Sequence, residues 1–148
     1  MLTLRFLLAC MHLIALAIGI AVVYARGRAL SRTTSAADLL DVFHADNWYG
    51  IAALIWIGSG LWRAFGGVEK GTEYYLSSHW FMGKMGLFAL VLALELIPMI
   101  TLIRWRMAFK KNGAIALEKA RLLARLSFAQ LPLLALMVLM AAAMARGI

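Results

Sequence analysis

An apolar run from Trp80 to Ile103 carries two ionisable side chains, Lys84 and Glu95, and that combination constrains this chain more than any other feature. About 20 mostly apolar residues cross the hydrocarbon of a bilayer, so the run reads as a membrane span. An ionised group at that depth costs roughly 3 kcal/mol even on the lenient insertion scale, so it faces other helices and not lipid. Lys84, Phe88, Val91 and Glu95 fall on one helical face, and the helical rise separates the two charges by about 16 Å. They cannot pair with each other. Each requires a partner on another helix.

The rest of the chain fits the same reading. Of 148 residues, 64% are hydrophobic, and the mean hydropathy of +0.85 belongs to an integral membrane protein. The length accommodates one domain, 1–148, of four spans at about 4–24, 47–65, 80–103 and 126–145. The first run is too long for a signal-peptide core and ends in Tyr24-Ala25-Arg26-Gly27-Arg28, so it is expected to be retained as a span. Arg26, Arg28 and Arg32 are assigned to the following loop. Ser35 is expected to cap a helix whose first turn is acidic, with Leu39–Ala45 a short interfacial helix leading into span two. Gly66-Gly67 ends that span. Residues 68–78 form a polar connection with Tyr74-Tyr75 as headgroup-level anchors, Pro98 is expected to kink span three, and the chain turns at Asn112-Gly113. The single cysteine, Cys10, excludes an intramolecular disulfide.

The net charge of +8 comes from cations in the connections, where it speaks for orientation and anionic lipid and not for nucleic acid. The loops after spans one and three carry ten Lys and Arg, against four on the opposite side. The predicted fold class is therefore all-α: an integral four-helix bundle with both termini on the outer, periplasmic side and one basic cytoplasmic loop-helix before the last span.

Depths can then be compared between helices. His12 lies about 10 Å below the outer surface, and Lys84, Met82, Met85, Met137 and Met140 fall in the same layer, with Arg63 just above. His12 shares a stripe with Ala9, Ala15, Leu16 and Gly19, small residues of the kind that line close helix contacts. Gln130, Leu134, Met137, Ala141 and Met144 share a face of span four. Each residue has two readings. His12 is either a metal ligand or a partner for a backbone carbonyl; Lys84 either faces inward or snorkels outward. Glu95 is either neutral or bonded to Gln130 or Ser59. Arg63 anchors a lipid phosphate or holds a carboxylate. The methionines are packing residues or soft ligands, and His44 and His79 sit at the boundaries. A b-type haem would use His12 with Met137 or Met140 as axial ligands and Arg63 and Lys84 as propionate partners. Copper(I) would use the same thioethers and imidazole. No CxxCH, HExxH or glycine-rich nucleotide loop is present.

The strings Trp48-Tyr49-Gly50-Ile51-Ala52, Gly60-Leu61-Trp62-Arg63, Glu69-Lys70-Gly71, Tyr74-Tyr75-Leu76, His79-Trp80-Phe81, Lys84-Met85 and Arg104-Trp105-Arg106, with Pro132, resemble a family of small bacterial membrane proteins, domain-of-unknown-function family 2214. The resemblance implies a bacterial inner-membrane location and no activity. More distantly, a histidine in span one and the spacing Trp80-x-x-x-Lys84 are similar to the HemJ-type protoporphyrinogen oxidases. That likeness implies haem b and hydrogen removal from protoporphyrinogen IX, with the family histidine falling on His12 and its lysine on Lys84, the candidate catalytic residue. The chain departs from that pattern in lacking a tryptophan after His12 and in carrying Ala129-Gln130 before Pro132. The leading expectation is a haem b-binding inner-membrane protein with a redox or tetrapyrrole-related role. The alternatives are an accessory subunit of a larger membrane complex or homo-oligomer, and copper handling. Whether the chain is an enzyme stays open.

Overall fold

The computed structural model describes residues 2–68 and 71–146. These contain no strand. Helix α1 is Leu2–Arg32, α2 Leu39–Phe65, α3 the short Thr72–Ser77, α4 His79–Lys110 and α5 Ala120–Arg146, the last preceded by a 3₁₀ turn at Leu117–Lys119. α1 packs along both α2 and α5, and α5 packs on α4. Side-chain pairs set the directions: α1 and α4 run in the same sense, and α2 and α5 run against them.

Three of these helices, α1, α4 and the 117–146 segment containing α5, are long and apolar enough to cross a membrane. α2 has the length, but Asp41, His44, Asp46 and Asn47 at one end and Arg63 at the other dilute its apolar stretch. The polarity is inverted relative to a soluble protein. Leu2, Leu54 and Leu139 are 83%, 75% and 65% exposed, whereas Arg26, Ser127 and Gln130 are fully buried and Glu95 is 8% exposed. An exterior of leucine and isoleucine around a polar interior suits lipid as the surrounding solvent.

Several local expectations are corrected. α1 continues to Arg32, so Arg26 and Arg28 lie on a helix and not in a loop. Leu39–Ala45 is the first part of α2 and no separate element. Asp38, not Ser35, precedes α2, and its carboxylate turns back to accept from the backbone N–H groups of Thr34 and Ser35, each at 2.8 Å. The connection after span two contains α3; Glu69 and Lys70 lie outside the described residues. Gly66 does end α2, and α4 runs through Pro98 to a C-terminal motif in which Asn112 takes φ 51° while Gly113 N–H reaches the Ala108 carbonyl at 2.9 Å and Asn112 N–H that of Phe109 at 3.2 Å. This 6→1 and 5→2 pair satisfies the last carbonyls of α4 and reverses the chain at the Asn-Gly expected from sequence.

Glu95 finds its partner on α1. Arg26 donates from Nη1 and Nη2 to the two Glu95 oxygens, both at 2.6 Å, and from Nε to Ser127 Oγ at 3.3 Å. Gln130 Nε2 donates to Glu95 at 2.7 Å, as one of the two sequence alternatives has it; Ser59 is engaged elsewhere. Asp46 on α2 bridges Arg26, at 2.9 Å, to Arg106 on α4, at 2.8 Å. Two guanidiniums and two carboxylates cancel, and Arg26 lies over the Tyr49 ring at 4.6 Å. Below this network an apolar cluster including Leu30, Val42, Leu102, Trp105 and Leu123 closes one end. Above it Val91, Leu134 and Met137 form an apolar layer with Leu16, Trp56 and Phe88.

The Asp38 turn lies outside the spanning helices and makes a pH-dependent prediction. Its hydrogen bonds from Thr34 and Ser35 hold the carboxylate down at about 2 from an ordinary 3.8. A depressed carboxylate contributes stability that is present above its unfolded value and lost as pH falls through its folded value. Protection of the Thr34 and Ser35 amides, measured against their intrinsic exchange rates at each pH, should therefore fall between about pH 4 and pH 2 in the parent and change little over that window in Asp38→Asn.

Candidate functional site

Beyond the Val91–Leu134–Met137 layer the helices part around a cavity of about 490 Å³, lined from all four long helices and roofed by α3. α1 contributes Ala9, His12, Leu13 and Leu16; α2 contributes Trp56, Gly60 and Arg63; α4 contributes Lys84, Met85 and Phe88; α5 contributes Met137, Ala141 and Met144. Four of the residues singled out in sequence, His12, Arg63, Lys84 and Met137, therefore share one space. The small residues Ala9, Gly60 and Ala141 supply its width. Tyr75 is buried against Ala64 and Phe81, with Met85 and Met144 beside it, and closes the far end.

Met140, also singled out, is not among the lining residues. It points into the α4–α5 contact, where a Cβ on Gly83 would lie 2.6 Å from the Met140 methyl. Met82 faces outward, 55% exposed. The structure thus brings Met137, and not Met140, to the space that holds His12.

His12 takes the second of its two sequence readings, as a partner for a backbone carbonyl. Its Nδ1 lies 3.0 Å from the Trp56 carbonyl and 3.0 Å from Ser59 Oγ. A carbonyl only accepts, so Nδ1 carries the proton and donates to it. In the neutral imidazole Nε2 is then bare. Anchoring one ring nitrogen on a carbonyl is how a ligating histidine is oriented and its tautomer chosen. The ring stacks on Trp56 at 5.6 Å and 22°, and it rests on Gly60, where a Cβ would come within 3.0 Å of His12 Cε1. Trp56 in turn meets Phe88 edge-on at 5.7 Å, joining α2 to α4. Its indole N–H is buried with no hydrogen-bond partner among the described residues.

Lys84 lies with its Nζ 5.5 Å from the Phe81 ring, one turn earlier on its own helix, and lines the cavity together with Arg63 from the last turn of α2. A basic group at a helix C-terminus is favoured by the local dipole. Chemically, the arrangement is an apolar chamber with one bare imidazole nitrogen, thioethers from Met85, Met137 and Met144, and two cations. It can receive a large apolar molecule that bears anionic groups. Among the described residues no three His, Cys, Asp or Glu converge, so a bare metal ion bound by those types alone has no site.

Sequence reasoning overlooked Trp56 and the Arg26–Asp46–Arg106 set, and it gave Tyr75 as a headgroup-level anchor where the structure buries it against Ala64 and Phe81. Trp56 falls between the strings that carried the family resemblance, but it is four residues before Gly60 and thus on the His12 side of α2. The seating of His12 predicts a specific signature. Nitrogen-15 spectra of the imidazole should show a protonated Nδ1 and an unprotonated Nε2 at neutral pH. Gly60→Ala should displace the ring and shift both resonances, at a stability cost of about 1–3 kcal/mol for the added methyl.

No curated protein and no solved structure matches the chain, and the likeness to HemJ-type oxidases finds no support in these comparisons. One family model does match, over residues 4–148, which is nearly the whole length. The chain belongs to that family, described as "Predicted membrane protein (DUF2214)".

Proposed function

We propose that this membrane protein holds a haem b, or a closely related metallotetrapyrrole, in the cavity between its long helices. The observation that carries the reading is the His12 seat: an imidazole fixed through Nδ1 on the Trp56 carbonyl, its other nitrogen bare, in an apolar chamber. The donor set fits such a group. His12 would be the axial ligand and Met137 the candidate second, His and Met being ordinary haem ligands. Arg63 and Lys84 would receive the propionates, and the partnerless Trp56 N–H would gain an acceptor after a small shift of its ring. When bound, the iron supplies one-electron exchange; the residues themselves position the macrocycle, neutralise its carboxylates and exclude water. Lys84, the candidate catalytic residue, would meet the carboxylates of a tetrapyrrole substrate in the same role.

On this reading α2 is a fourth span and the four long helices form one transmembrane bundle. Even without Arg26, nine basic residues flank the side where α1 and α4 end, against four on the other, which favours a cytoplasmic face there and periplasmic termini in a bacterial inner membrane. One specific observation favours a second reading. Met85, Met137 and Met144 line the cavity with His12, a donor set that suits copper(I).

The test is a dithionite-reduced minus oxidised visible spectrum of the full chain purified in detergent from haem-replete cells, beside His12→Ala and Met137→Leu, with copper measured on the same samples. A b-type α-band in the parent, lost in His12→Ala and shifted or weakened in Met137→Leu, is the expected result. A flat spectrum contradicts the haem reading. Stoichiometric copper in that flat sample would establish the second, and neither metal with larger subunits co-purifying would identify an accessory subunit.

A further inference from the structure

A second recess lies at the opposite end of the molecule, between the last turns of α1 and the first turns of α2. Its volume is about 600 Å³. Tyr24, Arg28 and Arg32 recur every fourth residue along α1, and Asp41, His44 and Trp48 recur at three and four along α2, so two stripes face each other across a groove. All six are exposed. One wall is cationic and the other carries a carboxylate. The Asp38 carboxylate at the groove end is committed to Thr34 and Ser35. Arg28 is turned over the Tyr24 ring, at 5.9 Å, and among the described residues neither Arg28 nor Arg32 closes an ion pair with Asp41.

Opposite charges that line one groove without meeting suit a ligand that is itself dipolar. We propose that this groove binds the headgroup of a zwitterionic phospholipid bearing a primary ammonium, with the phosphodiester on Arg28 and Arg32 and the ammonium on Asp41. Guanidiniums match phosphate oxygens in a planar fork, and a primary ammonium offers three N–H donors to a carboxylate. The position selects a lipid over a free phosphodiester. Tyr24 and Trp48 are aromatic side chains at the end of an apolar helix, the level at which such rings meet headgroups. The groove floor includes Val22 and Ala25 and continues onto the exposed apolar flank of α1 at Ile18, along which acyl chains can lie. Net cation excess alone would favour an anionic lipid; the carboxylate on the facing wall is what specifies the ammonium.

The experiment equilibrates the purified full chain in mild detergent with equimolar phosphatidylethanolamine and phosphatidylcholine of identical acyl chains and counts retained lipids by native mass spectrometry. The quaternary ammonium of choline has no N–H to donate, so the parent should retain the ethanolamine lipid about threefold to fivefold over the choline lipid, the scale of one exposed ion pair. Asp41→Asn should keep both lipids but lose the preference, and Asp41→Glu should restore it. Arg28→Gln/Arg32→Gln should lower retention of both. All these side chains are exposed, so thermal midpoints should stay near the parent's. Equal retention of the two lipids by the parent, or an undiminished preference in Asp41→Asn, would overturn the proposal. So would displacement of the lipid by excess soluble glycerophosphoethanolamine, which would assign the groove to a free phosphodiester.

Discussion

The bidentate pair between Arg26 and Glu95 crosses the interior from α1 to α4, two helices that otherwise touch little, and the arrangement of the remaining elements depends on it. Neither group is tolerable alone where it sits. A buried guanidinium without an anion, or a carboxylate mid-way along an apolar helix, carries a solvation penalty of several kcal/mol. Together with Asp46 and Arg106 they form a neutral set, and four of the five Arg26 N–H groups find acceptors on α2, α4 and α5. The set also determines register. Since α1 and α4 run in the same sense, pairing Arg26 with Glu95 carries His12 about 21 Å and Lys84 about 16 Å toward the far end, within one turn of each other. The cavity residues converge because a different set of residues is clamped.

Between the two polar regions lies a layer of Val91, Leu134 and Met137, backed by Leu16, Trp56 and Phe88. It separates a closed, internally satisfied network from an open chamber whose polar atoms are only partly satisfied. The contrast has functional meaning. A complete network holds structure, whereas a bare imidazole nitrogen and an indole N–H without an acceptor among the described residues are groups that a ligand would complete.

Much of this was legible from residue spacing. The period of 3.6 set His12, Ala9 and Leu16 on one stripe and Leu134, Met137 and Ala141 on another, and counting residues from the helix ends put Lys84 at the depth of His12 with Arg63 just above. The turn at Asn112-Gly113 was legible because few residues accept a positive φ. Met140 could not be distinguished from Met137 by depth, since both fall in one layer; only the Gly83 notch on α4 decides between them. Arg26 was misassigned for a physical reason. A hydropathy profile ends a span at the first cations, and Arg26 looks like the first residue of a basic flank. It nevertheless sits two heptads after His12 on the same stripe, past the small Gly19, and Glu95 demanded a cation. Combining those two facts would have paired them.

The measurement that tests this account most directly is a double-mutant cycle on Arg26 and Glu95, read by reversible unfolding in detergent or bicelles. Arg26→Leu and Glu95→Leu should each cost about 3–5 kcal/mol, by stranding the other charge, and the Arg26→Leu/Glu95→Leu chain should recover most of that loss. Additive costs in the double variant, or single variants as stable as the parent, would mean that the two side chains do not hold α1 to α4, and the register argument for the cavity would fall with them.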